Sequence, residues 1–110
     1  MDKQEFFKSI SPRVQCEKIN GVGRVCFREL SATEFYQFQE RGESFGPEDN
    51  NMANIRRMSL FLALTISDES GERALDDSDA EEFEKKPFHI LTKLFEAGMQ
   101  ANGLGDDEKN

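Results

Sequence analysis

One histidine, two cysteines and one dense acidic run are where chemistry would have to begin in this 110-residue chain. A catalytic histidine needs an orienting carboxylate and a reacting group beside it. His89 sits instead between Phe88 and Ile90 on an amphipathic pattern, which fits a structural position on a helix. Cys16 and Cys26 with one histidine cannot supply the four closely paired ligands of a zinc site. The run Asp68–Glu84 holds nine acids against Arg73 alone, which invites comparison with a calcium loop. Counted from Asp68, however, Arg73 falls where an EF-hand needs glycine, and Asp79 where it needs glutamate. The run therefore reads as a solvated turn and helix, or as a docking surface for a basic partner segment. Gly21-x-Gly23 and Gly42…Gly46 are too short for a phosphate loop, and no Lys-Ser or Lys-Thr follows them. No Ser-His-Asp or Cys-His signature is present. The sequence gives no reason to expect an enzyme, a cofactor or a metal.

Charge narrows the partners. The net charge is −8. Residues 1–66 hold nine acids and nine bases, whereas residues 67–110 hold thirteen acids and five bases. Nucleic-acid binding rests on neutralising phosphates with Lys and Arg, and there is no basic patch to do it. Anionic membrane surfaces are excluded on the same ground. No apolar run reaches the roughly 18 residues of a membrane span, and MDKQEFFKSISPR lacks the apolar stretch of a secretion signal. The expectation is a soluble protein that stays where it is made, with reduced cysteines. Apolar residues make up 36% of the chain, with ten Phe and one Tyr. That supports one thin core in one domain, residues 1–104, with a polar, flexible tail at 105–110.

Asp2 caps a short helical turn at 2–9, whose Phe6 and Phe7 seek a core. RVQCEKI-NG-VGRVCFR reads as a hairpin over 13–28, because Asn-Gly suits a two-residue type I′ turn. That turn would set Ile19 opposite Val22, pair Glu17 with Arg24, and gather Val14, Cys16, Val25 and Phe27 on one face. Cys16 and Cys26 would then point to opposite faces and could not bridge. Ser31 and Glu34 form a capping box opening a helix at 32–41, which Gly42 stops. Residues 51–66, NMANIRRMSLFLALTI, form the most apolar segment; from Met58 to Ile66 only Ser59 and Thr65 are polar, so it reads as a buried central helix. Ser78 caps an acidic helix at 79–86. Pro87 opens a last helix, 88–102, with Phe88, Leu91, Leu94, Phe95 and Met99 at helical spacing. The fold expected is α+β, mainly helical, with an N-terminal β-hairpin packed on three to four helices.

Taken together, LFLALTISDESGERAL, DDSDAEEFEKK and FHILTKLFEAGMQANGL resemble the tail assembly chaperones of long-tailed phages and prophages. The matching residues are Asp68 and Gly71 of a D-x-x-G turn, then Leu91, Leu94, Phe95, Ala97, Asn102, Gly103 and Leu104 of the final helix. Leu30-Ser31-Ala32, leading from hairpin to helix, is similar too, so the likeness spans roughly residues 14–104. Phe6-Phe7 and the segment after Leu104 have no counterpart in the pattern. The resemblance implies a protein of the bacterial host cytoplasm that is left out of the virion. It would bind the tape measure protein, keep it soluble and help recruit tail tube subunits. It also implies that a longer frameshifted product often accompanies such a chain.

Such a chaperone needs an apolar groove and a charged exterior. Phe35, Phe38, Phe61, Phe88, Phe95 and Met99 are the candidate lining, with Met52 and Met58 as adaptable contacts. The other readings are a virion structural protein of the head–tail connector or tail terminator type, and a small regulator that binds a host protein through the acidic run.

Overall fold

The computed structural model describes residues 1–105. Helix α1 (Lys3–Ser9) precedes strands β1 (Val14–Ile19) and β2 (Gly23–Arg28), then helices α2 (Ala32–Glu43) and α3 (Asn51–Thr65). A two-residue strand, β3 (Ile66–Ser67), follows α3. A 3-10 turn at Asp77–Asp79 leads into α4 (Ala80–Phe83), and α5 (Phe88–Ala101) closes the fold. The architecture is α+β and mainly helical: a three-stranded antiparallel sheet, ordered β1-β2-β3, beside the helices. The flexible tail expected at 105–110 lies, apart from Gly105, outside the described residues. Among the described residues, no helix is long and apolar enough to cross a membrane.

The hairpin forms where expected, in a different register. Ile19 pairs with Gly23 and Cys16 with Cys26, so the loop is Asn20-Gly21-Val22. A type I′ turn needs positive φ at both central residues. Here positive φ falls on Gly21 (87°) and Gly23 (117°) and not on Asn20. Moving the register by one exchanges the faces of one strand relative to the other. The adopted register puts Ile19, Val25 and Phe27 on one side, where they join Leu62, Leu91, Leu94, Ala97 and Ala101 in the main core. The expected register would have set Ile19 on the opposite face from Phe27. Burying both against α5 decides between the two.

Two expectations fall with the register. Cys16 and Cys26 stand directly opposite each other and are joined as a disulfide, with Cys26 buried. They are neither free thiols nor on opposite faces. Glu17 faces Val25 rather than Arg24, and Arg24 instead reaches Glu69 at 2.8 Å.

Helix α3 is the hub. Leu60, Phe61, Leu62 and Ala63 are each 2% exposed or less, as its nearly all-round apolar sequence demands. Asn50 caps its start, accepting from the Ala53 N–H at 3.0 Å. Its last turn holds no basic residue, so the orphan carbonyls there need other donors. Two distant arginines supply them. Arg28 Nε donates to the Leu64 carbonyl at 2.8 Å, and Arg73 Nη2 to the Ala63 carbonyl at 2.8 Å. The helix therefore stops at Thr65, and the chain turns into β3 on the edge of β2.

Three smaller boundaries also move. Helix α2 continues through Gly42 to Glu43. Gly42 is buried there because the Arg57 stem lies over it; an added Cβ would meet Arg57 Cγ at 3.3 Å. The acidic helix is capped by Asp76, not Ser78, in a capping box with Asp79, and its α-helical part is only Ala80–Phe83. Pro87 stands just before α5, at its cap position.

The D-x-x-G segment is a closed turn. Asp68 Oδ1 accepts from the Ser70 N–H (2.8 Å), the Ser70 hydroxyl (2.7 Å) and the Glu72 N–H (3.0 Å). Gly71 supplies the positive φ of 94°, and the chain returns to bridge Ser67 with Arg73. The N-G-L segment is a Schellman stop. Leu104 N–H donates to the Met99 carbonyl at 2.8 Å and Gly103 N–H to that of Gln100 at 3.0 Å, with Gly103 at φ 74°.

Candidate functional site

Helices α2 and α5 both pack on α3, and aromatic rings run across all three. Phe61 of α3 is fully buried. Its ring meets Phe38 of α2 at 5.4 Å and Phe95 of α5 at 5.5 Å, both edge-on. Phe35 extends the row from Phe38 at 6.0 Å. Edge-to-face contacts of this kind add to the area they bury. The row forms because Gly98 lets α5 close on it. A Cβ there would stand 3.1 Å from Phe61 Cε2 and 3.3 Å from Phe27 Cδ1.

Only the floor of this row is sealed. Phe35, Phe38 and Phe95 are half-buried, and so is Met99, one turn beyond Phe95. Phe95, Met99 and Leu104 wall an open pocket of about 240 Å³, with Glu96 and Gln100 on its rim. The Schellman stop builds it, because turning the chain at Gly103 brings Leu104 back beside Met99. The structure thus brings together Phe35, Phe38, Phe61 and Phe95, with Met99 next to them. Phe61 serves as floor and not as surface. Phe88 lies two turns earlier on α5 and is 62% exposed, outside the row. Met52 is exposed at the start of α3, and Met58 packs against the main core. Leu104 and Gly98 belong to this site and were not among the candidates. A glycine inside a helical pattern is the signal that marks Gly98.

The acidic run is largely engaged in its own folding. Asp68, Asp76 and Asp79 accept backbone N–H groups of their own turns. Asp77 takes Arg41 at 3.0 Å and Arg73 at 2.9 Å, and Glu84 lies 3.9 Å from Arg56. The Arg41–Asp77 and Arg56–Glu84 pairs line a cleft of about 610 Å³ together with Phe45 and Leu60. A cleft whose cations are already paired offers little net field to a charged ligand. His89 is exposed at the start of α5. Among the described residues, no three His, Cys, Asp or Glu side chains come together as a metal-binding group.

Four carboxyls are held below their ordinary values by these contacts. The Ser70 hydroxyl lowers Asp68, the Ser78 hydroxyl lowers Asp76, and Arg73 then Arg41 lower Asp77. Glu34 is lowered by the Ser31 N–H and then by Arg28. A depressed carboxyl takes up its proton later in the folded chain than in the unfolded one. Its stabilisation is complete above the ordinary values of 3.8 for Asp and 4.5 for Glu. It is lost as pH falls through the lower folded values. The urea midpoint is therefore expected to stay level from pH 7 to about 5.5 and to drop below about pH 4.5. Glu34→Gln should make that drop shallower.

No family model matches the chain, and no curated protein or solved structure matches it.

Proposed function

We propose that the protein is a tail assembly chaperone of the phage or prophage type, acting by binding and not by catalysis. The observation that supports this reading is the half-buried aromatic row. Phe35 and Phe38 of α2 and Phe95 of α5, held over the buried Phe61 and continued by Met99, present an apolar strip on two helices. An amphipathic helix laid on such a strip buries its own apolar face there. Rigid rings supply area at little entropic cost, and Met99 adapts to irregular side chains. The client is the tape measure protein, whose long apolar helix surface would otherwise associate with itself. Tail tube subunits are the second partner, and the host cytoplasm is the place of action. The net charge of −8 keeps the loaded complex in solution. No cofactor enters this scheme, because shielding apolar surface needs only differential affinity.

A chaperone leaves when its client is packed, whereas a connector or terminator subunit stays. Quantitative mass spectrometry of purified particles separates the two. The expected result is its presence in the infected-cell lysate and its absence from finished particles. Stoichiometric retention in particles would contradict the chaperone reading and favour a structural subunit.

A further inference from the structure

Every residue from 1 to 13 is exposed, including Phe6 (42%), Phe7 (60%) and Ile10 (60%). Helix α1 is nonetheless formed and capped, with Asp2 accepting from the Gln4 N–H. A helix of seven residues does not persist alone in water; such short segments need tertiary support. Its own chain gives little. Its base is tied at Arg13, whose N–H donates to Glu29 Oε1 at 2.7 Å and whose carbonyl accepts the Glu29 N–H at 2.9 Å, while the edge-on pair Phe6–Phe7 (5.2 Å) stays exposed. The molecule is elongated, 47 Å against 32 and 31 Å, with a radius of gyration of 14.7 Å. A compact chain of this length has about 13 Å.

The apolar pocket at the C-terminal end of α5 is the complementary feature. Its volume of about 240 Å³ lies below the roughly 300–1,000 Å³ of small-molecule sites and suits an anchoring side chain. Its walls, Phe95, Met99 and Leu104, are of the kind that receive an aromatic anchor. Charge matches as well. Residues 1–13 carry three bases and two acids, with Lys3 and Lys8 flanking the Phe pair; residues 14–110 carry eleven bases and twenty acids. Glu96 stands on the pocket rim. An acidic body with a basic, aromatic arm attracts its own kind through that arm.

We propose that α1 of one copy seats Phe7 in the Phe95–Met99–Leu104 pocket of a second copy, with Phe6 edge-on beside it at the rim, so that the chain self-associates arm-in-pocket. The contact needs no client and stands whether or not the chaperone reading does. Sedimentation equilibrium of the full chain over a range of concentrations tests it. The wild type is expected to associate, more weakly at high salt. Phe6→Ser with Phe7→Ser should weaken association by roughly 30-fold, the effect of losing one buried aromatic anchor. Both positions are exposed in the single chain, so far-UV circular dichroism should keep the body's signal. Leu104→Asp should act in the same direction from the pocket side. Site-specific benzoylphenylalanine replacing Phe7, in isotope-labelled chains mixed with unlabelled ones, identifies the contact. A crosslink from a labelled arm to residues 95–104 of an unlabelled chain supports the proposal. A wild type that stays monomeric, association that survives the double Ser change, or crosslinks confined to one chain or to a second arm would each overturn it.

Discussion

Phe61→Ala is expected to remove about 3–5 kcal/mol of folding stability, the range for truncating a sealed aromatic. Phe61 is 0% exposed, and its ring meets Phe38 of α2 and Phe95 of α5. Its loss leaves a cavity that cannot close easily. Phe38 and Phe95 are fixed to separate helices, and Gly98 has no side chain to fill the gap. A domain of this size has a total of only about 5–15 kcal/mol, so the variant should stand near its folding threshold. Urea denaturation followed by circular dichroism measures the loss. A change of less than about 1 kcal/mol would mean that the ring does not bridge the helices as described. Phe88→Ala is the companion measurement. That ring is 62% exposed and outside the row, so its removal should stay within about 0.5 kcal/mol.

Asn102→Ala is the second large effect, at about 2–3 kcal/mol. The Asn102 side chain joins the exit of the sheet to the end of α5. Its Oδ1 accepts from the Leu30 N–H at 2.7 Å. Its Nδ2 donates to the Arg28 carbonyl at 3.3 Å and to the Gly98 carbonyl at 3.0 Å. Truncation strands the Leu30 donor in a partly buried position, and an unpartnered buried group costs more than a made bond contributes. Asn102→Asp should be intermediate. It keeps the acceptor for Leu30 but turns the donor into a second oxygen facing two carbonyls, at the helix end that disfavours negative charge. Hydrogen exchange at the Leu30 amide reads the contact directly. Fast exchange is expected in the Ala variant and retained protection in Asp; equal protection in both would remove Asn102 from this role.

These two residues also mark what could and could not be read from the sequence. Local signals carried well. The Ser31–Glu34 capping box, the apolar run of α3, the spacing of α5 and the glycine stop at Gly103 all lie within a few residues of what they control. The hairpin's position was legible from Asn20-Gly21, but its register was not. Two glycines in one loop permit two turns, and the choice rests on burying Ile19 with Phe27 against α5, a contact some seventy residues away in sequence. The disulfide followed from that choice and was missed with it. Strand β3 is two residues long, too short to show any period. The end of α3 is set by Arg28 and Arg73, side chains that no local pattern attaches to Ala63 and Leu64.

The candidate site divides the same way. Helical spacing on α2 and α5 was enough to nominate Phe35, Phe38, Phe95 and Met99, because half-buried and buried faces share one periodicity. It could not tell floor from surface. Phe61 and Phe95 look alike in sequence, yet only tertiary packing seals the first. Nor could it show that Phe88 stands apart, or that Phe6 and Phe7 stay exposed among the described residues.

In the proposed role, the aromatic row over Phe61 shields apolar helix surface of another chain. Its most direct measurement is co-expression of the protein with a candidate tape measure protein, comparing wild type with a Phe35→Asp, Phe95→Asp double variant of confirmed fold. The wild type is expected to move the tape measure protein from pellet to supernatant and to co-purify with it, and the double variant to do neither. Equal solubilisation by both chains, or none by the wild type, would contradict it.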